Sequence, residues 1–278
     1  MIKLFLLTTI LSVYAYAEVF SILPYAGELS YDRDNNKSLK ESATLYGVHI
    51  TKGTLEYLLE FDFLKTDIRF KDKTSENLTQ NDISFAYGKY FNNYMYRGGF
   101  HYISTNDPIL GGGFVGFVSL GGYKYLGYDK YSYGVEAYYS RYVSRVSLTQ
   151  FTPYFTAYNA LNLYWGSSFC FKANYQLTPN YEKKSYLSYD VSETLYHKST
   201  YLTLRGYGGE MVTGVKDSGF SVINTQDLMK TGYGVKFGYY FTPTTILSLS
   251  YDVNNYEEID LVEQGSSSVV MASFYYGF

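Results

Sequence analysis

The sequence predicts an all-β chain: a transmembrane antiparallel up-and-down β-barrel of about 14 strands, with 12 to 16 as the allowed range. Three observations lead there. Apolar and polar residues alternate with period two over almost the whole length. The connections between runs alternate between short and long. Aromatic residues crowd the short ones.

The alternation is explicit in several runs. Ile83, Phe85 and Tyr87 alternate with Ser84, Ala86 and Gly88. Phe169, Phe171, Ala173, Tyr175 and Leu177 alternate with Cys170, Lys172, Asn174, Gln176 and Thr178. Tyr233, Val235, Phe237, Tyr239 and Phe241 alternate with Gly234, Lys236, Gly238 and Tyr240. Leu247, Leu249, Tyr251 and Val253 alternate with Ser248, Ser250, Asp252 and Asn254. Side chains on a strand point to opposite faces in turn, so each run has one greasy and one wet face. Placing breaks at turn residues gives strands over 21–31, 39–51, 54–70, 79–91, 94–105, 112–126, 130–145, 150–164, 167–179, 184–196, 199–213, 229–242, 245–257 and 267–278. Runs 112–126 and 150–164 alternate poorly. No amphipathic helix is predicted after the N-terminal segment.

Every second connection is short: Lys52–Gly53, Asn92–Asn93, Gly127–Lys130, Gly166–Ser168, His197–Ser199 and Thr242–Thr245. The others are often longer and more polar, as in DRDNNKSL, KDKTSENLT, NDPILGG, the stretch from Gly214 to Leu228, and EEIDLVEQGSS. Short turns at one rim and long loops at the other are the plan of a membrane barrel. Phe91, Tyr94, Tyr125, Tyr128, Tyr131, Trp165, Tyr240 and Phe241 flank the short turns. Amphipathic rings there suit the headgroup level, with the ring in oil and the hydroxyl in water. A soluble sandwich would also alternate, but it explains neither the girdle nor the two classes of connection.

Composition agrees. Tyrosine contributes 36 of 278 residues, phenylalanine 19 and glycine 25, against only 5 prolines and one tryptophan. Mean hydropathy is nevertheless slightly negative, the balance expected of strands with one oily and one wet face. Net charge is −3, which leaves no basic field for nucleic acid. The single cysteine, Cys170, cannot form an intramolecular disulfide. Residues 1–17 read as a cleavable signal peptide: Lys3, an apolar run from Leu4 to Val13, and Ala15-Tyr16-Ala17 before Glu18. The barrel domain is then 18–278.

The C-terminal run SSSVVMASFYYGF ends on Phe278, with Phe274, Tyr276 and Phe278 on one face. This tail resembles the C-terminal signature of Gram-negative outer-membrane β-barrel proteins, and the whole pattern resembles monomeric porin-like channels of about 14 strands. The resemblance implies that Phe274, Tyr276 and Phe278 belong to the signal read by the barrel-assembly machinery. It implies that Val270, Ala272, Phe274, Tyr276 and Phe278 face lipid, and that the last strand closes the sheet against the first. It also implies export through the periplasm and residence in the cell outer membrane.

Parity then assigns the lining. Charges on a lipid face are costly, so the wet residues of each strand should point inward. The candidates are Glu56, Glu60, Asp62, Arg97, His101, Glu136, Lys172, Asn174, Asp190, Arg205, Lys236 and Asp252. Fourteen strands about 4.8 Å apart and tilted about 40° give a backbone radius of roughly 14 Å, so the lumen is expected to be narrowed by side chains or folded-in loops. Mixed signs predict weak ion selectivity, with Glu56, Glu60 and Asp62 tipping it toward cations.

Other motifs carry little. GGGFVG, from Gly111 to Gly116, matches a dinucleotide fingerprint but opens no helix. DRDNN at Asp32–Asn36 lacks the glycine and glutamate of a calcium loop. His49, His101 and His197 have no zinc spacing, and no cofactor is expected. His101 and Ser104 lie on opposite faces of one strand, although a serine on a neighbouring strand stays open as a partner. The expectation is a channel for passive diffusion of small polar solutes, not an enzyme. The alternatives are a substrate-specific transporter, in which Tyr138, Tyr240 and Tyr275 stack on solute, a barrel-wall hydrolase of lipid or lipopolysaccharide, and an adhesive or structural barrel working through its loops.

Overall fold

The computed structural model describes residues 19–31, 40–71, 77–106, 112–143, 146–222, 227–258 and 263–278. The expected signal segment 1–17, the turn Asp32–Asn36 and much of the other long connections lie outside the described residues. Sixteen strands follow in chain order: β1 (Val19–Tyr31), β2 (Lys40–Gly53), β3 (Tyr57–Phe70), β4 (Leu78–Phe91), β5 (Tyr94–Thr105), β6 (Gly113–Leu126), β7 (Asp129–Tyr142), β8 (Ser147–Ala160), β9 (Trp165–Leu177), β10 (Ser185–His197), β11 (Thr200–Val212), β12 (Val215–Lys216), β13 (Ser221–Val222), β14 (Asp227–Thr242), β15 (Thr245–Glu258) and β16 (Glu263–Gly277). Fourteen of them form one closed antiparallel barrel, each paired with its neighbour in sequence, and β1 pairs with β16 to complete the ring. The two-residue strands β12 and β13 pair only with each other.

The expected parity holds at the seam. Val270, Phe274, Tyr276 and Phe278 are exposed on the outer face, and Tyr25 faces Ser273 across β1 and β16. The Phe278 N–H donates to the Phe20 carbonyl at 2.8 Å, and the two rings sit 5.4 Å apart. In hydrocarbon an open edge would leave a row of unpaired N–H and C=O groups at several kcal/mol each, so the ring has to close. Leu59, Phe61, Phe63, Tyr96, Phe100, Phe171, Phe237 and Leu249 sit on the outer face of their strands, and Phe61, Phe100, Phe171, Phe237 and Leu249 have only polar or small inward neighbours. Phe237 lies near the middle of this apolar belt on β14. We predict that Phe237→Arg destabilises the folded protein in lipid vesicles by about 2–4 kcal/mol, measured by urea unfolding. A far smaller loss would mean that this face does not contact hydrocarbon.

Two connections sit differently from the expectation. The first turn occupies residues 54–56 rather than Lys52–Gly53. The Thr54 N–H donates to the Tyr57 carbonyl at 2.8 Å, and the Thr54 hydroxyl accepts from the Glu56 N–H at 3.1 Å, so Lys52 and Gly53 remain in β2. Between β8 and β9 the turn is residues 161–164, not Gly166–Ser168. The Asn162 side-chain oxygen accepts the N–H groups of Tyr164 and Trp165 at 2.9 and 3.1 Å, an Asx turn that asparagine favours. Leu161 and Leu163 made this segment look like strand, and β8 consequently begins and ends earlier than predicted.

Two prolines explain local interruptions. Pro24 and Pro153 both lie within strands. The β1–β16 ladder skips from Ile22–Tyr276 to Tyr25–Ser273, and the β8–β9 ladder from Phe151–Tyr175 to Tyr154–Lys172. Proline has no N–H to give, so one ladder step is lost at each.

The largest departure is the connection between β11 and β14. The stretch from Gly214 to Leu228 was expected as an outer loop. Its described part instead folds down inside the barrel as the hairpin β12–β13, turned at its tip by Asp217, Ser218 and Gly219. All three tip residues have positive φ, 48°, 56° and 97°. For Asp217 and Ser218 this is a costly conformation that the surrounding contacts must hold. At position 219 a Cβ would come within 2.5 Å of the Phe117 ring, so only glycine fits between the hairpin and the wall.

Candidate functional site

The lumen is where the polar groups converge, and the hairpin crosses it. At the hairpin's root, the Gln176 side chain accepts the Val212 N–H at 3.1 Å. Gln150 accepts the Val215 N–H at 3.1 Å and donates to the Val215 carbonyl at 2.8 Å, acting as a strand partner for one residue. The Lys216 ammonium lies 3.1 Å from Asp190 on β10. At the tip, Arg97 donates to the Ser218 carbonyl at 2.5 Å, and the His101 Nδ1 is 3.1 Å from the Gly219 carbonyl. The Ser218 hydroxyl donates to Glu136 at 2.7 Å. Phe220 packs edge-on against His49 at 4.9 Å and lies under the Arg97 guanidinium, also at 4.9 Å. Val215, Phe220 and Val222 seat on Ala86, Val115, Phe117 and Tyr138 of the wall. Hydrogen bonds and apolar burial thus fix the same segment from β2 on one side to β10 on the other.

The predicted lining residues fall as follows. Glu60, Asp62, Arg97, His101, Glu136, Lys172, Asn174, Asp190, Arg205, Lys236 and Asp252 all take inward positions on their strands. Glu56 stands in the turn before β3, exposed, outside the strand. The inward charges are organised into pairs. Glu60 accepts from Arg97 Nε at 2.7 Å. Asp62, only 4% exposed, accepts the Tyr25 hydroxyl at 3.0 Å and lies 3.4 Å from His49. Glu136 accepts the Tyr138 hydroxyl at 2.6 Å and lies 3.5 Å from Lys172. Asn174 links Thr152 to Asp190, accepting at 2.9 Å and donating at 2.7 Å. Arg205 meets Asp252 with two hydrogen bonds, one from Nε at 2.5 Å and one from Nη2. Lys236 is half-buried between Thr203 and Ser250, and among the described residues it has no carboxylate partner.

Several wall residues of this network are absent from the lining candidates read from sequence: Tyr25, His49, Asp82, Ser84, Gln150 and Gln176. Parity alone placed Ser84 and Gln176 on the wet face, yet nothing in a single strand shows that two glutamines will serve a passing hairpin. Of the tyrosines expected to stack on solute, Tyr138 is buried beneath the hairpin, while Tyr240 and Tyr275 face inward.

The serine partner left open for His101 does exist. Ser84 Oγ is 2.9 Å from His101 Nδ1, and Asp82 Oδ1 is 2.8 Å from Nε2. The three residues are at most 2% exposed. A hydrolytic triad needs a ring nitrogen with a free lone pair to take the serine proton. Here Nδ1 lies between the Ser84 hydroxyl and the Gly219 carbonyl, so the hairpin backbone already occupies the side of the ring that faces Ser84. Asp82 orients the ring from the other side. With all three side chains buried, the arrangement ties the hairpin tip to β4 and β5.

No protein-family model and no curated protein matches the chain. Solved structures do. The Ralstonia pickettii toluene transporter TbuX matches with a TM-score of 0.58 at 7% identity, over 95% of this chain and 91% of its own. The CymD monoaromatic hydrocarbon channel gives 0.55 at 9%, over 96% and 90%. A bacterial polysaccharide outer membrane secretin gives 0.54 at 10%, over 93% and 98%. The cargoes in their names differ, as expected when one fold hosts many functions. At such identities the likeness establishes the architecture: this chain is a closed 14-stranded antiparallel barrel of the kind found in outer-membrane proteins.

Proposed function

We propose that the protein is a channel of the Gram-negative outer membrane for small polar solutes, with its lumen narrowed at mid-height by the inward hairpin. It would reach that membrane through the periplasm, with the barrel-assembly machinery and outer-membrane lipid as its partners. The carrying observation is the contrast between an apolar outer belt and a polar lumen crossed by one tethered segment. A lumen built only for stability would need neither Gln150 on the Val215 backbone nor Arg97 and His101 on consecutive tip carbonyls. Selectivity should be weak, because opposite charges are neutralised in pairs. Two of the three carboxylates expected to favour cations, Glu60 and Asp62, are engaged by Arg97, Tyr25 and His49.

The test is single-channel recording of the purified full-length protein in planar bilayers. A small, steady, ohmic conductance is expected. Silence at all voltages, both for the native protein and for a variant with residues 215–222 replaced by a short Gly-Ser link, would remove the channel reading.

A further inference from the structure

Below the hairpin, toward the short-turn end, the lumen wall changes character. An arc of four tyrosine rings with a lysine toward each end runs across six adjacent strands, β7 to β11 and β14. Lys130 on β7 pairs in register with Tyr158 on β8, and its ammonium lies 5.7 Å from that ring. The small residues Gly166 and Ser168 of β9 stand between Tyr158 and the next strand. Tyr158 is in register with Ser168, and Tyr196 on β10 with Gly166, so only these small residues separate the two tyrosine positions. The Tyr196 ring lies 6.2 Å from Tyr201 on β11, and Tyr201 lies 5.8 Å from Tyr240 on β14. Lys236 stands two inward positions above Tyr240.

Both ends of this arc carry a cation with no carboxylate partner among the described residues, whereas Lys172, Arg205 and Lys216 are all paired. Tyr158 is 41% exposed and the other three tyrosines are half-buried, so each presents part of its ring to the lumen. Phenol rings offer a flat apolar face together with a hydroxyl that donates and accepts, the combination that suits the C–H face and hydroxyls of a sugar. Five strand-to-strand steps of about 4.8 Å span roughly 24 Å. That is a track for several linked rings rather than a pocket for one. Ammonium groups at its ends select for acidic rather than neutral rings.

We propose that Lys130, Tyr158, Tyr196, Tyr201, Tyr240 and Lys236 form a binding track for an anionic oligosaccharide at the short-turn end of the lumen. The assignment rests on the channel reading, since it names the class of solute that channel would favour, but its test can fail separately.

The test is calorimetric titration of the full-length protein in detergent micelles with trigalacturonate, maltotriose and benzoate. Trigalacturonate is expected to bind. Maltotriose, of equal length but uncharged, is expected to bind about tenfold more weakly, and Lys130→Gln with Lys236→Gln should remove a similar factor. Tyr196→Ala with Tyr201→Ala should weaken both sugars. Because these residues are partly exposed at the rim, the variants should keep the heat-sensitive gel mobility of a folded barrel. Equal binding of maltotriose, tighter binding of benzoate, unchanged affinity in the double lysine variant, or no binding of trigalacturonate would each overturn the assignment. A conducting protein that ignores trigalacturonate loses the track and keeps the channel; a silent protein that binds it does the reverse.

Discussion

Arg97→Ala is expected to open the channel while leaving the barrel intact. In the native arrangement the guanidinium is 7% exposed. It donates to Glu60 at 2.7 Å and to the Ser218 carbonyl at 2.5 Å, and it covers the rings of Phe117 and Phe220. Removing it strands a carboxylate and a carbonyl in a tight space, at about 3–5 kcal/mol for breaking such a pair. The penalty falls on the state with the hairpin in place. Once the hairpin withdraws, Glu60 can be hydrated. The ratio of plugged to open molecules should therefore fall by about a hundredfold or more. Single-channel recordings should show larger or longer openings, and backbone hydrogen exchange at residues 215–222 should speed up with no change in the barrel strands. Arg97→Lys should have a smaller effect, because a single ammonium keeps the charge but cannot hold both acceptors with a planar fork. Native conductance and native exchange rates in Arg97→Ala would show that this side chain does not tether the hairpin.

Removing residues 274–278 is expected to abolish the folded barrel. These residues pair on both sides: Tyr276 with Ile22 and Thr245, Tyr275 with Ile246, and Phe274 with Leu247. Without them the short-turn ends of β1 and β15 each present unpaired backbone, at several kcal/mol per group in hydrocarbon. The whole stability of a protein is of order 5–15 kcal/mol, so a few such groups suffice. The truncated chain should be absent from outer-membrane fractions and should be digested by protease under conditions that spare the native protein. Phe278→Ala alone should be milder. It loses the ring contacts to Phe20 and Tyr276 but keeps the hydrogen bond from the residue 278 N–H to Phe20. A truncated protein that resists protease in the membrane would mean that the seam between β1 and β16 is not needed for closure.

The barrel was legible because its signals are local and redundant. Period-two runs such as Ile83–Tyr87 and Phe169–Leu177 are decided by which face meets oil, and a slip of one residue would expose every side chain to the wrong medium. The errors fell where a competing local device acted. Asn162 turns the chain inside an apolar stretch, and Pro153 breaks the pattern of β8. The hairpin was not legible in the same way. KDSGF between Val215 and Val222 has turn residues at its centre, so it reads as an exposed loop. Its one unusual mark is the apolar trio Val215, Phe220 and Val222, greasy for a solvent loop, but nothing in the segment names Phe117, Tyr138 or Gln150 as its partners.

The sequence by itself determined the closed sheet, a strand count near fourteen, the two kinds of rim and the face of the sheet on which most of the named charged residues stand. Each of these follows from the alternation of side chains along a strand and from the absence of water in a bilayer core. Only the tertiary structure decided what the lumen contains: which charges neutralise one another, that His101 faces Ser84, Asp82 and a hairpin carbonyl at once, and that residues 215–222 lie inside the barrel. Those contacts join residues as far apart as Arg97 and Ser218. Pairings at such separation depend on where closure places each strand around the ring, and no local pattern encodes that position.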